Sequence, residues 1–125
     1  MANPNIVNVT SIYGNTSYLI PSTTSVTTWT ALTPAVGTVN KIDNIVAANV
    51  TASAVAVTVS INSAISGGGT AYRIAYQISV PANASLIIVD KTTAFYVGEA
   101  QSIVVTVGTS NAIELTASYE AITSP

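Results

Sequence analysis

The chain has 125 residues, no histidine and no cysteine, and its three basic and five acidic side chains give a formal net charge of −2. This composition excludes disulfide and thiolate–zinc frameworks and histidine-based triads, and three cations cannot build the phosphate-neutralising patch that nucleic acid requires. With 6% charged residues against about 25% in ordinary domains, much of the surface is expected to be covered by something other than water, while the length suits one domain with an unstapled core.

Residues 1–5 show neither a basic region nor an apolar run, so no secretory leader is expected. Residues 1–38 differ from the rest. They hold Pro4, Pro21 and Pro34, the sole tryptophan Trp29, and a Ser/Thr-rich stretch from Ser22 to Thr30. Val7 and Val9 suggest one strand, Tyr18 to Ile20 a second. Two readings stay open: edge strands of the sandwich that residues 39–125 form, or an arm lying on a neighbouring subunit.

From residue 39 onward the period is two. Ile45 to Ile65 carries no charge, but Asn49, Thr51, Ser53, Thr58, Ser60 and Asn62 interrupt it. It reads as two strands and a turn rather than a membrane span. Val55, Val57, Val59 and Ile61 alternate with polar or small residues. Gly67-Gly68-Gly69 follows as a turn. Tyr72, Ile74, Tyr76, Ile78 and Val80 then mark one strand face as buried. Pro81 closes that strand, because it cannot donate to a central ladder. Leu86 to Val89 is a continuous apolar run, expected to be covered on both faces. Asp90 to Thr93, Gly98-Glu99 and Gly108 to Asn111 are turns. Ile103, Val105 and Val107 form one more alternating set, and Ile113, Leu115, Ala117 and Tyr119 another. β-Branched residues dominate and no 3.6-residue period appears. The fold class is all-β: a single antiparallel sandwich, jelly-roll-like, of roughly eight to ten short strands. An immunoglobulin-like topology stays open, because strand register is not readable from the sequence.

Chemistry has few places to hide. Glu114 and Glu120 share a strand face, but six residues separate them by about 20 Å, too far for glycosidase carboxylates. Asp90 and Glu99 flank a turn region and read as solvated acids. The triple glycine lacks the Gly-Lys-Ser/Thr of a phosphate loop. Asp43 with Asn44, or Asp90 with nearby carbonyls, supplies too few oxygens for a calcium site. No catalytic residue, metal or cofactor is expected. Four glycosylation sequons start at Asn8, Asn15, Asn49 and Asn83, about the number that this Asn/Ser/Thr content produces by chance, and no modification is expected at them.

Aromatic residues are the better candidates for contact. Tyr13, Tyr18, Trp29, Phe95 and Tyr96 are the interface candidates. Tyr72, Tyr76 and Tyr119 fall on apolar faces and are expected in the core or between subunits. Trp29 sits among threonines with no alternation around it. It suits either an exposed hot spot or a plug beneath an edge strand. The charges at Asp90, Lys91, Glu99 and Glu120 are expected to mark wet surface.

Three stretches carry a family resemblance. Asn5-Ile6-Val7-Asn8-Val9-Thr10-Ser11-Ile12-Tyr13-Gly14 opens the chain. Ile78 to Leu86 runs into Phe95 to Ile103. Ala117-Ser118-Tyr119-Glu120-Ala121-Ile122 lies near the end. Together they resemble small β-rich virion proteins of tailed bacteriophages, notably of cyanophages. The resemblance implies a non-enzymatic virion protein assembled in the host cytoplasm. Within that class it implies a capsid decoration or cement protein, oligomeric and expected as a homotrimer, bound to the major capsid protein or another virion protein. A tail, neck or fibre component is the alternative, and a carbohydrate- or surface-binding module the second. Neither nucleic acid nor membrane is expected as a partner.

Overall fold

A computed structural model of the protein describes residues 11–123. They form nine strands: β1 (Ser11–Leu19), β2 (Thr27–Thr28), β3 (Thr38–Asn49), β4 (Val55–Asn62), β5 (Ala71–Val80), β6 (Ser85–Val89), β7 (Phe95–Val97), β8 (Ser102–Val107) and β9 (Ile113–Thr123). Single 3-10 turns lie at Thr30–Leu32 and Lys91–Thr93. The strand suggested by Val7 and Val9 lies outside the described residues. No helix among them is long and apolar enough to cross a membrane.

The strands make two antiparallel sheets. The first has the order β1-β9-β3-β6, with β7 also paired to β3; the second has the order β2-β8-β4-β5. The pairings nest. β4 pairs β5, β3 pairs β6 and β7, β2 pairs β8, and β1 pairs β9. A long hairpin rolled up in this way is a jelly roll, and this pairing excludes the immunoglobulin-like order. Residues 11–38 supply β1 and β2, each at the edge of a sheet.

The core lies between the sheets and is aliphatic. Ile42, Ile45 and Ala47 of β3 and Ile113, Leu115 and Ala117 of β9 face Val57 and Val59 of β4 and Ile103 and Val105 of β8. The alternation in β4, β8 and β9 places these residues inward, as the period of two requires. Polar side chains tie the rims. Asn49 Nδ2 donates to Ser53 O (2.8 Å) and Val80 O (3.0 Å), fixing the β3–β4 turn to the end of β5. Asn62 Oδ1 accepts from Ala64 N (3.0 Å) and Gly69 N (2.9 Å), which shapes the glycine turn.

β5 departs from the alternation. Val59 pairs with Ala75 and Val57 with Ile78, so Tyr76 and Gln77 both oppose Thr58; a second shift leaves Ile74 unmatched between Ala75 and Arg73. These are two β-bulges. Gln77 takes a left-handed φ of 48°, and its N–H donates to Thr58 Oγ1 at 2.9 Å. Each bulge reverses the phase of the strand. The inward row therefore becomes Val80, Ile78, Ala75 and Tyr72. Only Val80 of the apolar row read from the sequence is buried; Tyr72, Ile74, Tyr76 and Ile78 are exposed. The apolar run at Leu86 to Val89 is also covered on one face only. Ile87 pairs with Val46 on the outer face and is exposed.

Candidate functional site

Five of the eight charged side chains, Lys41, Asp43, Asp90, Lys91 and Glu120, line one groove of about 530 Å³ on the outer face of the first sheet. Register explains the gathering. Lys41 of β3 lies opposite Glu120 of β9, and Val46 lies opposite Ile87 of β6. The Lys41 Nζ to Glu120 Oε2 separation is 3.9 Å with both side chains over a third exposed, which makes this a surface pair worth about 0–1 kcal/mol.

Asp90 caps the 3-10 turn at Lys91–Thr93. Its Oδ1 accepts from Thr92 Oγ1 (2.6 Å) and Thr92 N (2.9 Å), and its own N–H donates to Thr93 Oγ1 (3.1 Å). The Thr92 hydroxyl, then the Thr92 N–H, hold its carboxyl below the ordinary value. A carboxylate held as an anion is a poor general acid. Among the described residues no group of three His, Cys, Asp or Glu side chains could hold a metal ion. Glu99 does not share this surface. It is 8% exposed, and its Oε2 accepts from Gly37 N at 2.7 Å, tying the loop before β8 to the turn before β3. The expectation that Glu99 marks wet surface is thereby corrected: a backbone N–H at the left-handed Gly37 (φ 77°) draws it inward.

The interface candidates divide. Trp29 is a core residue, 1% exposed. Its backbone N–H donates to Ile103 O (2.8 Å), extending the β2–β8 ladder, and this turns the indole between the sheets. Trp29 is thus sealed in the core of the single chain, and Phe95, whose pairing with Ile42 points it inward, is half-buried against that core. Tyr96, paired with Lys41, faces outward and is exposed. Tyr13 and Tyr18 of β1 are 64% and 75% exposed. Of the tyrosines read on apolar faces, Tyr119 packs half-buried against the core, but Tyr72 and Tyr76 are exposed. The bulges carry Tyr76 to the outer face, whereas Tyr72 stays on the inward row and is exposed because β5 is the edge strand of its sheet. Of the sequon asparagines, Asn49 is buried, which closes it to modification in the folded chain.

The candidate site is therefore a set of contact surfaces. On the first sheet, Ile12, Tyr13 and Tyr18 lie along β1, and Ile87 and Tyr96 lie near the groove. On the second, Tyr72, Ile74, Tyr76 and Ile78 lie along β5. These exposed tyrosine and isoleucine side chains along two edge strands are the candidates for contact with neighbours.

No protein-family model and no curated protein matches the sequence. Two solved structures are similar at low identity. The chain is similar to a protein of Bacillus endospore appendages, which form a novel family of disulfide-linked pili: 15% identity over 92% of this chain and 90% of that one, TM-score 0.50. It is also similar to the protein of the extra small virus (XSV) virus-like particle of the giant freshwater prawn Macrobrachium rosenbergii, at 14% identity, 98% and 87% coverage and a TM-score of 0.45. At 15% identity the likeness to the pilus protein is one of fold.

Proposed function

We propose that this chain is a non-enzymatic structural subunit of a tailed-phage virion, acting as a capsid decoration or cement protein. It associates with itself and with the major capsid protein or another virion protein. The observation that carries this reading is the pairing of a rigid jelly roll with exposed, charge-poor apolar strands at β1 and β5. A cement protein works by burial. Apolar area removed from water contributes about 25 cal/mol per Å², and many copies repeat that gain across the joints of a shell. No residue needs to react.

A fibre, tail or neck component is the second reading, favoured by the fold likeness to a pilus protein. With no cysteine in the chain, any such fibre would hold without disulfide cross-links. A glycan-binding module has less support. The bulges place Tyr72 and Tyr76 on opposite sides of β5, and Arg73 sits 5.2 Å over the Tyr76 ring, occupying a face that a sugar would need.

Quantitative mass spectrometry of purified particles, with immunogold labelling, tests the reading. Hundreds of copies on the shell support cement; a few to a few dozen on the tail support the second reading. Particles that lack the chain overturn both.

A further inference from the structure

Sheet edges invite pairing with other chains, and proteins guard them with short strands, bulges, prolines or charges. Four edges are open among the described residues, and three are guarded. β2 has two residues. β5 carries two bulges and Arg73. The edge of β3's far neighbours is broken into β6 and β7, of five and three residues, by the 3-10 turn at Lys91–Thr93. β1 has no guard. It runs nine residues, Ser11–Leu19, in unbroken register with β9, and it contains neither proline nor charge.

We propose that the free edge of β1 pairs antiparallel with β1 of a second copy of this chain, giving a two-fold dimer in which the first sheets become one continuous sheet. The occupant follows from the other edges. A nine-residue unbroken edge needs a partner of like length, and among the described edges only another β1 offers one. With no charged side chain on either strand, the approach of identical edges meets no like-charge repulsion at the seam. A two-fold axis that keeps the core faces together sets residue i opposite residue j with i + j even. Full overlap of Ser11–Leu19 then centres the axis on Asn15. That register places Ile12 opposite the second copy's Tyr18 on the outer face, an aromatic–β-branched pair of the favourable kind. Both are more than half exposed in the single chain. Gly14, with open space where a Cβ would stand, lies opposite Thr16.

The contact is small. A strand about 30 Å long and two side chains tall buries roughly 400 Å² per copy, half of the usual share of about 800 Å². The dimer is therefore concentration-dependent. A two-fold pairing takes the place of the three-fold one that the family resemblance suggested. The inference rests on the reading of the chain as an assembling subunit, and it can fail separately.

The absence of cysteine makes the test clean. In the proposed register N15C meets its own copy with Cα atoms about 4.5–5.5 Å apart, within disulfide reach. S11C is displaced from its copy by eight residues, roughly 27 Å. At tens of micromolar under mild oxidant, N15C should cross-link to dimer at least ten-fold more than S11C. By sedimentation, I12K/Y18K, which sets lysine against lysine twice, should weaken the dimer at least ten-fold, and I12K/Y18E should recover most of the loss. Asn15, Ile12 and Tyr18 are exposed, so folding is checked by circular dichroism and the charge pair decides if N15C does not fold. An oligomeric wild type in which N15C links no better than S11C, or in which the two double variants dissociate alike, overturns the β1 pairing alone. A wild type that stays monomeric at tens of micromolar overturns the pairing and counts against self-assembly as a whole.

Discussion

The Trp29 indole Nε1 donates to Ser17 Oγ at 3.0 Å, and both residues are buried. This bond links β1 at the edge of the first sheet to the segment after β2 at the edge of the second. It holds the two edges together at the open end of the sandwich. Ser17→Ala leaves the indole N–H without its acceptor in the core, which costs about 1–3 kcal/mol. Trp29→Phe with Ser17→Ala should cost less than the sum of the two single changes, because both then delete the same bond. Thermal melts of the four proteins check this. The sole tryptophan also reports it: native emission should be blue-shifted and shielded from acrylamide.

Gly67 and Gly68 should differ sharply. Gly67 has a φ of +80°, and a Cβ there would meet Thr28 Oγ1 at 2.6 Å and Val104 Cγ1 at 3.1 Å. Left-handed backbone alone costs an L-residue about 1–2 kcal/mol. Gly67→Ala should lower the melting temperature by several degrees. Gly68, with open space around it, should accept alanine within about 0.5 kcal/mol.

Asn62→Ala removes a side chain that bonds four backbone groups, donating to Gly67 O and Gly69 O and accepting from Ala64 N and Gly69 N. Water reaches part of this turn, so the expected loss is about 1–3 kcal/mol. Denaturant unfolding should show a lower midpoint with unchanged slope.

The Asp90 carboxyl is held below its ordinary value, chiefly by the Thr92 hydroxyl. A group whose folded pKa is depressed adds stability above its unfolded value. That stability is lost as pH falls through the lower, folded value. Asp90 thus contributes to acid sensitivity only below about pH 4. Thr92→Val should move its titration, followed by carboxyl NMR, back up towards the ordinary value.

Tyr72→Ser should leave the stability of the single chain within about 0.5 kcal/mol, because Tyr72 is 62% exposed. Ile45→Ala, in the sealed core, should cost about 2–5 kcal/mol. Equal losses would mean that β5 is covered in solution.

The fold was legible where the ladder is regular. Val55, Val57 and Val59, and Ile113, Leu115 and Ala117, announce their faces by alternation, and the turns at Gly67 and at Gly108 to Asn111 mark where β4 ends and β9 begins. β5 misled because the bulges at Tyr76–Gln77 and Ile74 change phase without any glycine or proline to signal them. Register, not composition, decides which side chain of such a strand is buried. Trp29 was ambiguous for a related reason: its burial depends on a backbone bond to Ile103, seventy-four residues away. Glu99 was misread because its partner, Gly37, lies 62 residues away in sequence. The exposed aromatic residues were half legible. Tyr13, Tyr18 and Tyr96 could be named from the sequence as contact candidates and are exposed, whereas the outward turn of Tyr76 emerges only when the bulges are located, and the exposure of Tyr72 only from its place on an edge strand.

β9 lies between β1 and β3. The strand that fills the middle of the first sheet is thus the last of the nine along the chain. As the chain leaves the ribosome, β1 and β3 have no way to close against each other until residues 113–123 follow. Completion of that sheet waits for β9, and a chain that lacks it holds the apolar rows of β1 and β3 open. In a cell producing many copies at once, that delay is the interval in which misassembly competes with folding, and the chain's few charges offer little to keep the copies apart.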